Sequence, residues 1–189
     1  MRVLGGVYKG SQLKAPAGGN VRPTSVRARE AIFNVLIHGL PEWRGIIEEA
    51  IVLDLFCGTG ALGIEALSRG ASQVTFIERD EATIDIAQAN ASFGPDAIQR
   101  TTFLKLDATV LPPFSGKAPG DIAFLDPPYG KNLAVPALIS LKTHNWLSQG
   151  ALVVLETGKE AGFHPPPEYR IIEVRTYGIT NVFFLMLVN

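Results

Sequence analysis

Apolar and polar residues follow one another in regular blocks along the 189-residue chain. Five short runs rich in β-branched residues, at 51–56, 73–78, 102–106, 121–126 and 151–156, are separated by stretches whose apolar residues recur three and four apart. Those spacings predict helices over 59–69, 81–91 and 133–145, each ending near a glycine or a polar cluster. Strand and helix in alternation predict a parallel sheet, and right-handed crossovers place helices on both of its faces. After residue 167 the rhythm changes. Segments 169–177 and 180–188 are both β-prone and meet at Gly178 with no length for a helix between them, so they are expected to form an antiparallel hairpin at the sheet edge.

The first forty residues pattern differently. Segments 2–8 and 11–13 flank Gly5, Gly6 and Gly10 like a small hairpin, and a Gly/Pro-rich stretch runs from 16 to 23. Ser25 has the chemistry of an N-cap, and Ala28, Ile32, Val35 and Leu36 supply one apolar face of a helix reaching about His38. The reading therefore divides the chain into an extension at 1–40 and one main domain at 41–189. A hydrophobic fraction of 47% over this length supports a single core.

Charge sharpens the division. The chain holds 17 Lys+Arg and 18 Asp+Glu, but residues 1–29 contain six of the basic residues and no acid, leaving 11 basic against 18 acidic residues beyond them. The basic end is a candidate phosphate-binding surface, the alternative being an ordinary solvated terminus. No apolar run approaches the ~18 residues of a membrane span, and the first residues resemble neither a secretory nor a transit leader, so a cytoplasmic protein is expected. With one cysteine, Cys57, and with His38, His144 and His164 far apart, neither a disulfide nor a metal is expected. Nothing in the pattern demands more than a monomer.

The first strand runs into Asp54-Leu55-Phe56-Cys57-Gly58-Thr59-Gly60-Ala61-Leu62-Gly63, a glycine-rich turn opening a helix. Glycines there let backbone approach a ligand closely. The spacing satisfies the dinucleotide fingerprint, so a nicotinamide-dependent oxidoreductase stays open on this motif alone. Asp54 favours a different cofactor: beside it a pyrophosphate would be repelled, whereas the amino-acid cation of S-adenosylmethionine would be attracted. Glu78, at the end of the second strand, is placed to accept from both ribose hydroxyls of either cofactor. Asp107 could accept from an adenine amine with the Ala108 amide beside it, or be only a carboxylate that starts a loop. Phe56 reads as a pocket wall or as core, and Cys57 as packing.

The fourth strand ends in Asp126-Pro127-Pro128-Tyr129, at the edge where open α/β sheets bind their ligands. Two prolines fix the backbone and remove two donors, leaving carbonyl oxygens to face a pocket. Such a site accepts hydrogen bonds. The exocyclic amine of a base is a poor nucleophile because its lone pair is delocalised; acceptors around its N–H bonds favour rehybridisation, and Tyr129 can stack on the base. A rigid turn without chemistry is the plainer alternative.

At this point the resemblance is closer than any one motif. Arg2-Val3-Leu4-Gly5-Gly6, Lys9-Gly10 and Val21-Arg22-Pro23-Thr24, with Arg27, Arg29, Glu30, Phe33 and Asn34, resemble the amino-terminal region of the bacterial small-subunit ribosomal RNA (guanine-N2)-methyltransferases. The segment DLFCGTGALGIEALSRGA from Asp54 to Ala71 looks like that family's cofactor loop and helix, and Glu78, Asn90, Asp107 and Asp126-Pro127-Pro128-Tyr129 fall at matching places. Ser11 departs, standing where a basic residue is more usual. The resemblance implies a Rossmann-like class I methyltransferase with a mostly parallel seven-stranded sheet. It also implies S-adenosylmethionine held by Gly58, Gly60, Glu78 and Asp107, and transfer to N2 of a guanine in small-subunit RNA or its assembly particle. Lys9, Arg22, Arg27 and Arg29 are then the candidates for RNA phosphates, although Arg27 and Arg29, two apart on a helix, cannot share a face, so at least one of them is expected to pair with an acid such as Glu30 or to contact the core. A DNA adenine or protein glutamine N-methyltransferase and a non-catalytic RNA-binding assembly factor are the other readings.

Overall fold

The computed structural model describes residues 1–15, 26–40, 42, 43, 46–159 and 162–188. Its elements are α1 (Val26–His38), β1 (Ile51–Leu55), α2 (Ala61–Ser68), β2 (Gln73–Glu78), α3 (Glu81–Asn90), α4 (Pro95–Gln99), β3 (Thr101–Lys105), β4 (Gly120–Leu125), α5 (Ala134–Thr143), β5 (Leu147–Gly158), β6 (Tyr169–Tyr177) and β7 (Thr180–Leu187). All seven expected strands and the expected helices form, with boundaries shifted by a few residues at most. The five-residue α4 was not foreseen; Pro95 at its first turn starts it, and it is too short for periodicity to reveal.

One sheet has the order β3-β2-β1-β4-β5-β7-β6. Its first five strands are parallel, and β7 pairs antiparallel with both β5 and β6. Past a register shift near Gly120 between β4 and β5, the five parallel strands align, and Leu104, Ile77, Leu55, Leu125 and Leu155 form a continuous row. Because side chains alternate, the two faces divide into two cores. Val52, Phe76, Phe124 and Val154 pack with Phe33 of α1, Ile64 of α2 and Ala87 of α3. Leu55, Ile77, Leu125 and Leu155 pack with Leu138 and Leu141 of α5. Helices therefore cover both faces.

The amino-terminal extension joins the first of these cores, since Val3, Leu13, Ile32, Phe33 and Leu36 are buried within it. Its expected hairpin is reduced to one antiparallel bridge, Arg2 with Gln12, closed by Val3 N to Ser11 O and Gly10 N to Val3 O. The turn docks on the C-terminal end of α2. Leu4 N donates to Glu65 Oε2 at 2.7 Å and Ser68 Oγ donates to the Gly5 carbonyl at 2.6 Å. At Gly6 a side chain is impossible, since φ is +76° and a Cβ would meet the Ser68 carbonyl oxygen at 1.8 Å. Ser25, expected as the N-cap of α1, lies outside the described residues.

Candidate active site

The alternation that builds the first core continues one step past its apolar columns, and on four strands that step is a carboxylate. Val52 is followed by Asp54 on β1, Phe76 by Glu78 on β2, Phe124 by Asp126 after β4 and Val154 by Glu156 on β5. All four acids line one cavity of about 990 Å³ at the carboxyl edge of the sheet.

The glycine loop forms one side of this cavity. Phe56, Gly58 and Gly60 have φ of 55°, 54° and 77°, a left-handed path that wraps the strand end around an open centre. Two carboxylates lock that path: Asp54 Oδ2 accepts from Gly63 N at 2.8 Å and Glu78 Oε2 from Gly58 N at 3.3 Å. Glu78 Oε1 also accepts from the amides of Arg79 and Asp80. Gly63 serves packing, because a Cβ there would meet Phe76 Cε1 at 2.5 Å. Behind the loop, Asn90 donates to the Thr59 carbonyl and to that of Lys14, and accepts from Lys14 N. The extension is thereby tied to the loop.

Burial raises the Asp54 carboxyl well above the usual carboxylate range; the Gly63 amide opposes this, and the nearby charges of Asp126 and Glu78 add to it. Burial, with Asp54 and Glu78, likewise pushes the Cys57 thiol up, so it stays protonated and inert. A cavity that crowds acids together favours a cationic ligand. S-adenosylmethionine carries a sulfonium and an ammonium, and the left-handed loop leaves its centre open, so the residues present fit that group. Asp107 Oδ1 accepts from Thr109 N and Thr109 Oγ1, which holds its carboxyl below the usual range.

The other side of the cavity begins at Asp126 and the buried Pro127. Tyr129 follows, 41% exposed, with its hydroxyl 2.9 Å from Thr180 Oγ1 on β7. Its ring lies against Gly158, where a Cβ would sit 3.6 Å from Tyr129 Cδ2. The tip of the β6–β7 hairpin, Tyr177 to Thr180, completes this wall.

The cavity thus brings together Asp54, Phe56, Gly58 and Glu78 with Asp126, Pro127, Pro128 and Tyr129, and places Arg27 at its wall. Gly60, Asp107 and Ala108 do not line it. Lys9 is exposed on the turn at the C-terminal end of α2, a helix length of about 12 Å from the end that meets the cavity. The expectation that Arg29 meets phosphate is corrected: its side chain is wholly buried, donates from Nη2 to the Arg2 carbonyl and lies 4.0 Å from Glu65. A helix turns about 100° per residue, so Arg27 faces out while Arg29 faces the core. Arg22 lies outside the described residues.

Glu156, Arg79, Asp80, Thr83 and the hairpin tip also line the cavity and were not foreseen. Glu156 had a readable signal, because LVVLE repeats the form of TFIE and AFLD, apolar columns closed by an acid. The hairpin tip follows from topology: β7 runs antiparallel to β5, which brings its first residue to the end of β5.

The family described as conserved hypothetical protein 95 matches residues 1–186. A Haemophilus influenzae protein named ribosomal RNA small subunit methyltransferase D is 33% identical over 96% of this chain and 91% of its own length. Its namesake from Escherichia coli K12 is 32% identical over 88% and 79%. A structure of the Escherichia coli protein yhhF, described as a candidate methyltransferase, superposes with a TM-score of 0.81 at 29% identity, covering 100% of this chain and 98% of that one. The seven-stranded, mostly parallel sheet with its terminal antiparallel hairpin is the class I methyltransferase fold.

Proposed function

This chain belongs to that family, and from this premise we propose that it methylates small-subunit ribosomal RNA, using S-adenosylmethionine to modify the N2 amine of a guanine. The observation that carries the reading is the single cavity running from the acid-locked glycine loop to Asp126 and Tyr129. When bound, S-adenosylmethionine supplies a methyl group made electrophilic by its sulfonium centre. Asp54, Phe56, Gly58 and Glu78, which line the cavity, would hold it, and the resemblance adds Gly60 and Asp107 to that set, with the Ala108 amide beside Asp107.

On the other side, the Asp126 carboxylate accepts a hydrogen bond from one N–H of the amine, and a proline carbonyl accepts the other. Both acceptors draw the nitrogen toward tetrahedral geometry and restore its lone pair. Tyr129 stacks on the base and fixes the direction of attack, its own position held by Thr180 and Gly158. Arg27, exposed at the wall, neutralises a flanking phosphate while the target base leaves its stack and enters.

The test uses small subunits from cells lacking this modification, incubated with the protein and methyl-labelled S-adenosylmethionine, followed by digestion to nucleosides. Label in N2-methylguanosine supports the reading. Label in methyladenosine or in protein amide, or unlabelled RNA under conditions where cofactor binds by calorimetry, overturns it.

A further inference from the structure

Of the four acids at the cavity, Asp54 and Glu78 hold amides of the glycine loop and belong to the cofactor side. Asp126 and Glu156 belong to the other. Leu125, the last residue of β4, pairs with Leu155 in the ladder, and the two acids are the residues that follow them, Asp126 just past the end of β4 and Glu156 on β5. Glu156 is 2% exposed and borders the cavity shared with Asp126 and Tyr129. It also stands two residues before Gly158, on the same face of β5, and Gly158 is where the Tyr129 ring rests. A base stacked on Tyr129 therefore extends along the column that contains Glu156.

We propose that Glu156 selects guanine, accepting a hydrogen bond from the ring N1–H while Asp126 holds the neighbouring N2 amine. This rests on the guanine-N2 reading above. Among bases with an exocyclic amine, guanine alone carries a ring N–H next to it; adenine and cytosine present a lone pair at the corresponding nitrogen. An ionised carboxylate has acceptors only. Opposite guanine it completes a pair of donor–acceptor contacts, whereas opposite adenine or cytosine its oxygen would meet a lone pair and repel it. Two adjacent carboxylates thus match the donor edge of guanine. Asp126 acts on the reacting nitrogen; Glu156 determines which base brings a nitrogen there.

The experiment first maps the guanine that the wild-type protein methylates in undermethylated small subunits. Subunits are then reconstituted with guanine, 2-aminopurine or adenine at that position. 2-Aminopurine keeps the 2-amine but has a lone pair at N1. The wild type should prefer guanine over 2-aminopurine by about 100-fold or more in kcat/KM. In Glu156→Gln, whose amide can donate as well as accept, that ratio should fall by about tenfold, while Glu156→Asp should keep it. The same ratios, read as equilibrium affinity of the RNA for protein loaded with S-adenosylhomocysteine, should move in parallel, with affinity for S-adenosylhomocysteine itself unchanged. Equal use of guanine and 2-aminopurine by the wild type overturns the proposal even if no Glu156 variant folds, as does an unchanged ratio in Glu156→Gln. Wild-type methylation of a base other than guanine removes the parent reading, and this one with it.

Discussion

The two halves of the cavity are built by different means. The cofactor half is local: Asp54 through Gly63 are contiguous, and Glu78 joins them from the adjacent strand, so backbone amides and two carboxylates close the loop on itself. The half proposed to take the base is assembled from distant segments, with Arg27 on α1, Asp126 and Tyr129 after β4, Glu156 on β5 and Thr180 on β7. The first half is a backbone cradle whose shape depends on glycine; the second is a ring of side chains whose positions depend on the sheet register. Substitutions in the one should change affinity for cofactor and those in the other turnover, and this separation is open to test.

The largest effect is expected at Asp126. Asp126→Ala removes the carboxylate proposed to accept from the reacting amine, and kcat should fall about 10³-fold, the scale of losing one preorganised charge-stabilising contact. Affinity for S-adenosylmethionine, measured by calorimetry, should stay within about threefold of wild type, because the glycine loop keeps its own bonds. A parallel collapse of cofactor affinity would show the two halves to be one unit.

The same division governs what could be read from sequence. The glycine loop and its place at the cavity were legible because their determinants are local: a strand, glycines at fixed spacing and acids at the ends of the first two strands each leave a mark. So did the hairpin, since two β-prone segments around Gly178 leave no other solution. The spacing showed that Arg27 and Arg29 could not share a face and that at least one would meet an acid or the core; which of them, and which acid, was not legible. The neighbour of Arg29 in chemistry is Glu65, which is also tied to Arg69 and the Leu4 amide, and that network exists only once α1, α2 and the amino-terminal turn have packed. The hairpin tip at the cavity was hidden for a similar reason, as it reaches the site through pairing of β7 with β5 rather than through anything near residues 177–180. Local chemistry reveals the cradle; contact across the sheet reveals what faces it.

Asp54→Asn sharpens the comparison from the cofactor side. Burial raises the Asp54 carboxyl in the folded protein above its unfolded value. The stability this confers is therefore fully present below the unfolded carboxylate range and is lost as pH rises through the raised folded value. Denaturation of the unliganded protein should show wild type losing stability relative to Asp54→Asn with rising pH, the amide being the more stable form once Asp54 is forced to ionise. Cofactor affinity should move the opposite way, falling about 10- to 100-fold in the variant, the scale of a hydrogen bond to a charged group. Two parallel stability curves, or an unchanged cofactor affinity, would reduce Asp54 to a neutral clamp on the Gly63 amide.

The smallest expected effect lies at Thr180. Its Oγ1 is the partner of the Tyr129 hydroxyl, and Thr180→Val removes that partner while keeping the β-branched shape that suits β7. The bond is partly open to water, and the Tyr129 ring still has Gly158 to rest on, so its loss should cost no more than about 1 kcal/mol. That corresponds to a two- to fivefold fall in kcat/KM for RNA, with cofactor affinity and thermal stability essentially unchanged. Tyr129→Phe should give a fall of the same size, and the double variant should be no worse than either single one, because both delete one interaction. Additive losses would mean that the two residues act on RNA independently. The hairpin would then be a second contact surface rather than the support that holds the stacking ring over the base half of the cavity.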